Sequence, residues 1–380
     1  MVPAASAVAS RGGTPPMNPA DQDLAPAGPA GSLRTADPAA RTTTGRRAPR
    51  RRLAAGLVVL AVLLVAAAVA SLVVGTRPIP FGIVLDALRD VDPTNPDHLV
   101  IWELRLPRTL VGLLVGGALG LAGAVMQGVA RNPLADPGIL GVNAGASFFV
   151  VVAISLLGVT TLTGYVWFGF LGAALATAVV YGIAAAGREG ATPVKLALAG
   201  AAVSAALTSL TTAVLLTDVD TFDQFRFWQV GSLAGRDLTI FWQVLPFLLV
   251  GVVLALCCGR VLNTLSLGDD VARALGQRVA LSRGLAGLAV VVLCGAATAA
   301  AGPIAFIGLT IPHIARAITG PDHRWVLPYS MMLAPVLLLV ADVLGRVIAR
   351  PGEVQVGIVT AVIGAPFFIA LVRRSRVAEL

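Results

Sequence analysis

Charge is what this 380-residue chain has least of for its size. Asp, Glu, Lys and Arg together make 13% of it, about half of what a soluble chain uses to cover its surface. With 57% hydrophobic residues and a mean hydropathy of +0.85, that deficit argues against a soluble globular protein. Lysine is almost missing: Lys195 is the single one, so the other basic residues are arginine. Alongside abundant Ala and Gly, this reads as coding bias. The isoelectric point near 10.6 would suit a nucleic-acid binder. The arginines, however, cluster at the ends of apolar runs, where membrane proteins place them, so no nucleic-acid partner is expected.

Cysteine is scarce too. Cys257, Cys258 and Cys294 lie inside apolar runs without CxxC or Cys/His spacing, which excludes a disulfide framework and a zinc site and leaves small buried hydrophobes. His98, His313 and His323 are far apart in the chain. There is no Gly-x-Ser-x-Gly, no His-Glu-x-x-His and no Walker A loop ending in Gly-Lys-Ser/Thr. The last absence excludes ATP hydrolysis by that route. The expectation is a chain that is not an enzyme and binds no metal or cofactor of its own.

What is there is a series of long apolar runs. Residues 1–45 are rich in Ala, Pro, Gly, Ser and Thr without apolar periodicity, the composition of a disordered tail. Arg46, Arg47, Arg50, Arg51 and Arg52 follow, and then the run from Leu53 to Val74. That run is too long for a signal-peptide core. Candidate spans are 53–74, 109–128, 139–158, 165–186, 196–216, 238–259, 284–301, 304–318, 326–344 and 356–372, against the ~20 apolar residues a crossing needs. The eighth is short. The expected fold class is all-α, a polytopic transmembrane helical bundle of about ten spans. A basic cytoplasmic tail occupies 1–52, the membrane domain 53–374, and a second cytoplasmic tail 375–380. An even count puts both termini on one side. Arg131, Arg188, Lys195, Arg260, Arg273, Arg278, Arg283, Arg316 and Arg324 fall on that side, which the positive-inside rule makes cytoplasmic. Arg105, Arg108, Arg346 and Arg350 break the rule.

Gly112, Gly116 and Gly120 recur every fourth residue, so they share one helical face and let another backbone approach. Five other stretches are polar or helix-breaking where a plain span would be neither: Arg105-Leu106-Pro107-Arg108, Asn132 to Gly141, Leu267 to Gly276, Gly302 to His313, and Gly357 to Phe367. In this order and spacing they resemble the FecCD family, the permease subunits of type II ABC importers for iron–siderophores, haem and cobalamin, over about residues 53–374. One position departs from the family pattern: Glu353-Val354 is followed by Gln355, where the family commonly has proline.

The resemblance implies a plasma-membrane permease subunit of a bacterium. It works with a second permease subunit, alike or related, an ABC ATPase dimer that carries ATP and Mg, and an extracytoplasmic substrate-binding protein. Spans five and ten would line a pathway with alternating access. Arg105, Arg108 and Arg346 would be sockets for glutamates of the binding protein; the plainer reading is arginines that snorkel to headgroups. Gly268, Asp269, Asp270, Val271, Ala274, Leu275 and Gly276 would form the coupling helix on the ATPase, with the acidic pair placed well at a helix N-terminus. Pro303, Pro312, Thr360 and Pro366 are gate or pathway candidates, a packing kink being the alternative. Iron–siderophore is the favoured substrate, then haem or cobalamin. The rival class is an ion-coupled secondary transporter, for which Asp342 is the nearest intramembrane acid, with Arg346 one turn away.

Overall fold

The computed structural model describes residues 50–186 and 192–374. Residues 1–49 and 375–380 of the two expected tails, and Arg188, lie outside the described residues. Arg50–Arg52, placed in the tail by composition, instead form the first turn of a helix. In chain order the helices are α1 Arg50–Val73, α2 Phe81–Arg89, α3 Pro96–Leu99, α4 Leu106–Ala130, α5 Val142–Leu157, α6 Leu162–Ala185, α7 Pro193–Thr217, α8 Val219–Gln229, α9 Leu238–Cys257, α10 Gly259–Leu265, α11 Asp269–Ala274, α12 Val279–Ala301, α13 Ile307–Thr319, α14 His323–Ile348 and α15 Val356–Arg374. A π-helical turn, Val100–Arg105, joins α3 to α4.

Among the described residues, seven helices are long and apolar enough to cross a membrane: α1, the continuous Pro96–Ala130 helix, α6, α7, α9, α12 and α14. Helices α5 and α15 are shorter and apolar. The eighth expected span forms only as α13, with 13 residues. At about 1.5 Å per residue that is ~20 Å, short of the ~30 Å hydrocarbon core. Each expected segment is largely helical, and about ten spans stands as an approximate count.

The boundaries follow local chemistry. Asp218, Asp237 and Asp322 accept backbone N–H bonds at the starts of α8, α9 and α14, and Thr161 and Thr192 do so for α6 and α7, as N-cap residues should. Gly302 and Gly320 end α12 and α13 at φ +76° and +78°, a region open to glycine at no steric cost.

Helix α4 is the axis of the bundle and packs against α9, α12, α13 and α14. Its Gly face is why. A methyl group added at Gly116 would come 2.5 Å from the Pro335 Cα, and one at Gly120 2.5 Å from the Ser330 carbonyl. Gly123 stands equally close to Gly308 of α13. Small residues let van der Waals packing replace the hydrophobic effect inside a bilayer.

Two ends can be distinguished. Asp322 meets Asn263 at 2.6 Å and Leu53 accepts from the Tyr329 hydroxyl at 2.7 Å, so the starts of α1 and α14 lie at the same end as α10 and α11. At the far end, loop 230–232 ties three segments together. Ser232 N–H donates to Ala301 O at 2.8 Å, and Gly357 N–H donates to Gly231 O at 3.0 Å. Helix α2 caps the same end, with Val84 and Ala87 buried against Ile79 and Ile101.

Candidate docking and coupling sites

The arginines that break the charge rule all lie at the far end, and each meets acceptors within the chain. Helix α1 ends at Val73, where its last carbonyls have no intrahelical donor. Arg105 fills that gap: its Nη1 donates to Leu72 O at 2.5 Å and Val73 O at 2.8 Å, and its Nη2 donates to Arg77 O. Arg346 Nη1 donates to Ser71 O at 3.0 Å, and Arg350 Nη2 donates to Gly75 O at 2.7 Å. Cations also suit the negative end of a helix dipole. Arg105 and Arg346 are buried, 6% and 3% exposed. The sequence reading places Arg105 and Arg108 on one outward face; here Arg105 turns in to serve α1, because unpaired carbonyls in a bilayer protein must find donors.

Arg108 is different. Its Nε and Nη2 grip Asp342 at 2.7–3.2 Å, while Nη1 reaches Glu353 Oε2 at 2.8 Å. Asp342, 1% exposed, also receives Arg346 Nη2 at 3.0 Å. Two guanidinium groups and two carboxylates thus neutralise one another. Charge-assisted contacts of this kind hold a buried carboxylate in place. Asp342 is already doubly paired, which accounts for its charge without a transported ion. Glu353 is the opening in the set, with 30% of its side chain exposed.

Arg236, in the loop before α9, is 4% exposed, and its Nε has no partner among the described residues. Burial lowers its pKa to about 10, and nearby Arg108 pushes it the same way against Asp237. Sequence reasoning passed over it because nothing in the loop's composition signals burial.

At the other end stands α11, flanked by Gly268 and Gly276 at φ +101° and +80°. Ala272 faces the bundle, 0% exposed, while Val271 and Leu275 are 46% and 64% exposed; Ala274 is exposed with them. Asp269 faces inward, paired with Arg283 at 2.9 Å and Arg131 at 3.4 Å. Asp270 pairs with Arg273 at 2.7 Å. An apolar patch therefore stands free on a short helix whose base is pinned by ion pairs. Nearby, the Asp322 carboxyl is held well below its ordinary range by hydrogen bonds from Arg324 and Asn263, against a smaller effect of burial. Burial raises the Asp136 carboxyl in the turn after α4, partly offset by the Gly138 N–H.

The proline positions have local explanations. Pro312 lacks an N–H, so the Gly308 carbonyl one turn back loses its helical donor. Gln127 Nε2 of α4 supplies it, at 3.2 Å from Gly308 O and 3.2 Å from Leu309 O, and Arg316 Nη2 holds the Gln127 oxygen. Neither Gln127 nor Arg316 stood out in the sequence; the signal was a glutamine inside an apolar run. Pro303 O lies against Gly231, and Phe306, at φ +67°, rests on Gly364 of α15. Thr360 is buried and its hydroxyl donates to Gly357 O at 3.0 Å. Pro366 is exposed on α15. Loop 230–232 thus brings the fourth and fifth motifs together, while the α11 motif stands apart at the opposite end.

Helices α7 and α15 show their apolar sides. Leu198, Leu210 and Leu216 of α7 are 68%, 51% and 80% exposed, and Val362 of α15 is 66% exposed. The α7 hydroxyls of Ser209, Thr211 and Thr212 donate to carbonyls four residues back, so they present no unpaired donor.

The profile of the FecCD transport family matches residues 63–374. The chain belongs to the FecCD transport family. As a FecCD protein it is similar to the ferric enterobactin transport system permease protein FepD of Escherichia coli (strain K12). The two are 50% identical over 305 residues, 80% of this chain and 90% of that one. It is 43% identical to the iron(3+)-hydroxamate import system permease protein FhuB of Bacillus subtilis (strain 168) over 310 residues, 80% and 79% of the two chains. Among solved structures, one described as an inward-facing conformation of a metal-chelate type ABC transporter superposes with a TM-score of 0.75 at 31% identity, covering 84% of this FecCD chain and 99% of its own. This chain is a multi-pass membrane permease of that family.

Proposed function

We infer that this chain is the permease subunit of an ATP-driven importer of ferric siderophores. The observation that carries the reading is the 50% identity to a ferric enterobactin permease along nearly its whole length. Two such subunits, alike or related, enclose the pathway, with α7 and α15 lining it; the exposed apolar sides of those helices support this. The ATPase dimer, with its ATP and Mg, sits on the α11 end, where Val271, Ala274 and Leu275 offer the apolar patch. This chain binds no cofactor and does no bond chemistry. The α11 end carries the greater share of the described basic residues, Arg50–Arg52, Arg131, Arg260, Arg273, Arg278, Arg283, Arg316 and Arg324 among them, which supports a cytoplasmic position for it and for both termini, in a bacterial plasma membrane.

A loaded binding protein docks on the far end. Arg108 is the docking residue nearest readiness, because its Nη1 is held only by the part-exposed Glu353. An incoming carboxylate can take that donor in exchange while Asp342 keeps the rest of the guanidinium in place. Arg105 and Arg346 frame the socket by securing α1 beside it. ATP then favours the closed ATPase, and α11 transmits that preference to the bundle, since a ligand shifts an equilibrium only by its differential affinity for the two states.

The test is uptake of radiolabelled ferric catecholate and ferric hydroxamate siderophores by cells that lack their own permeases and carry this chain with its neighbouring ATPase and binding protein. ATP-dependent accumulation of either is expected. Accumulation of haem or cobalamin instead would reassign the substrate, and uptake that persists without the ATPase would overturn the importer reading.

A further inference from the structure

A crevice of about 920 Å³ opens between α4, α6 and α12 under α11, and nothing in the transport cycle described above uses it. Helices α6 and α12 touch at the far end. There a methyl group on Gly169 or Gly295 would be 3.4 Å from Ala299 or 3.3 Å from Ala173. Toward α11 they splay apart. A methyl group on Gly182, Gly284 or Gly287 would meet nothing within 4 Å among the described residues, so these glycines serve no contact there. They leave room for something outside the chain.

The crevice is polar at one end only. Its inner wall is apolar, with Met126, Ala174, Leu288 and Val291 among its residues. Its rim holds Arg273, Arg278 and Arg283, and Asp269 is the single acid among the described lining residues. Asp269 is shared by Arg131 and Arg283. The Arg283 Nε is buried without a partner among the described residues. The Arg278 side chain is exposed and has no hydrogen bond or ion pair among the described residues. From Val279 to Val291, α12 runs ~18 Å along the wall at about 1.5 Å per residue, close to the ~15 Å depth of one hydrocarbon leaflet.

We propose that this crevice seats an anionic phospholipid of the leaflet on the α11 side, with its phosphate on Arg278 and Arg283 and an acyl chain along Gly182, Gly284 and Gly287. Basic pockets between membrane helices at that level hold anionic headgroups. An inorganic anion would use the arginines and leave the apolar wall empty. The inference rests on the membrane fold alone and is independent of what is transported.

The full chain, co-expressed with its partner subunits and washed in mild detergent, is analysed for retained lipid by mass spectrometry. Its thermal unfolding is followed with phosphatidylglycerol, phosphatidylcholine or inorganic phosphate added. Phosphatidylglycerol is expected to be retained over phosphatidylcholine and to be the one addition that raises Tm. Arg278→Gln should weaken retention about fivefold. Gly284→Leu and Gly287→Leu, which fill open space, should weaken it at least about fivefold while elution and helix content stay normal. Equal retention of the two lipids, or a Gly284→Leu chain that keeps its lipid, would overturn the proposal. So would a Tm shift reproduced by phosphate alone. Lipid present on the isolated chain and absent from the assembly would make the crevice a protein interface and would also overturn it.

Discussion

Arg108 holds the buried Asp342 through Nε and Nη2 and the half-open Glu353 through Nη1, and these two carboxylates separate folding from docking. Asp342→Asn removes the charge that balances Arg108 and Arg346 inside the bundle. Breaking a buried pair from one side costs about 3–5 kcal/mol. This variant should express poorly and unfold earlier in a detergent thermal scan. Glu353→Gln removes a part-exposed partner, worth about 1 kcal/mol or less. Its stability should hold, while binding-protein affinity rises up to about fivefold as the internal competitor disappears. Unchanged affinity in a stable Glu353→Gln chain would sink the exchange mechanism. The four misplaced arginines were visible in the sequence as a broken charge rule. Their acceptors were not, because a carbonyl at Ser71 and a guanidinium at Arg346 are 275 residues apart and no local pattern connects them.

At the scale of elements, the long apolar runs announced themselves and the short helices did not. Helices α2 and α8 are amphipathic pieces of 9 and 11 residues in what reads as polar loop. They form because α2 covers Ile79 and Ile101 and α8 buries its own Phe225 and Trp228. Helix α11 was legible, since two glycines bracket an acidic start and an apolar face. With Leu275 so exposed, Leu275→Asp should leave the bundle intact and release the ATPase in a pull-down; full retention would remove the contact. Helix α13 depends on Gln127 across the proline gap. Gln127→Leu orphans the carbonyl of Gly308 and strips Arg316 of its Gln127 acceptor, at about 1–3 kcal/mol for each unsatisfied group. A clear fall in Tm is expected, and an unchanged Tm would mean that Pro312 needs no help from α4.

For the whole molecule, the two ends differ in kind. The far end is knitted together by loop 230–232 and the arginine-capped α1, whereas the α11 end is splayed, basic and unfinished. That asymmetry predicts an orientation. In a chain freed of its three native cysteines, Val219→Cys, at a position 72% exposed, should react with an impermeant maleimide on intact cells. Leu275→Cys should react only after the membrane is opened. The reverse pattern would invert the topology and move the docking and coupling surfaces to opposite faces.

The capping of α1 by Arg346 and Arg350 has a consequence for how the protein is made. Arg105 follows Leu72 by 33 residues and serves its carbonyl early, yet the Arg346 that holds Ser71 O arrives 275 residues later, roughly 14–55 s on at about 5–20 residues per second. Through that interval the Ser71 and Gly75 carbonyls wait for their arginine donors. Helix α1 is therefore fastened in two stages, and a chain cut short before α14 leaves the second one undone.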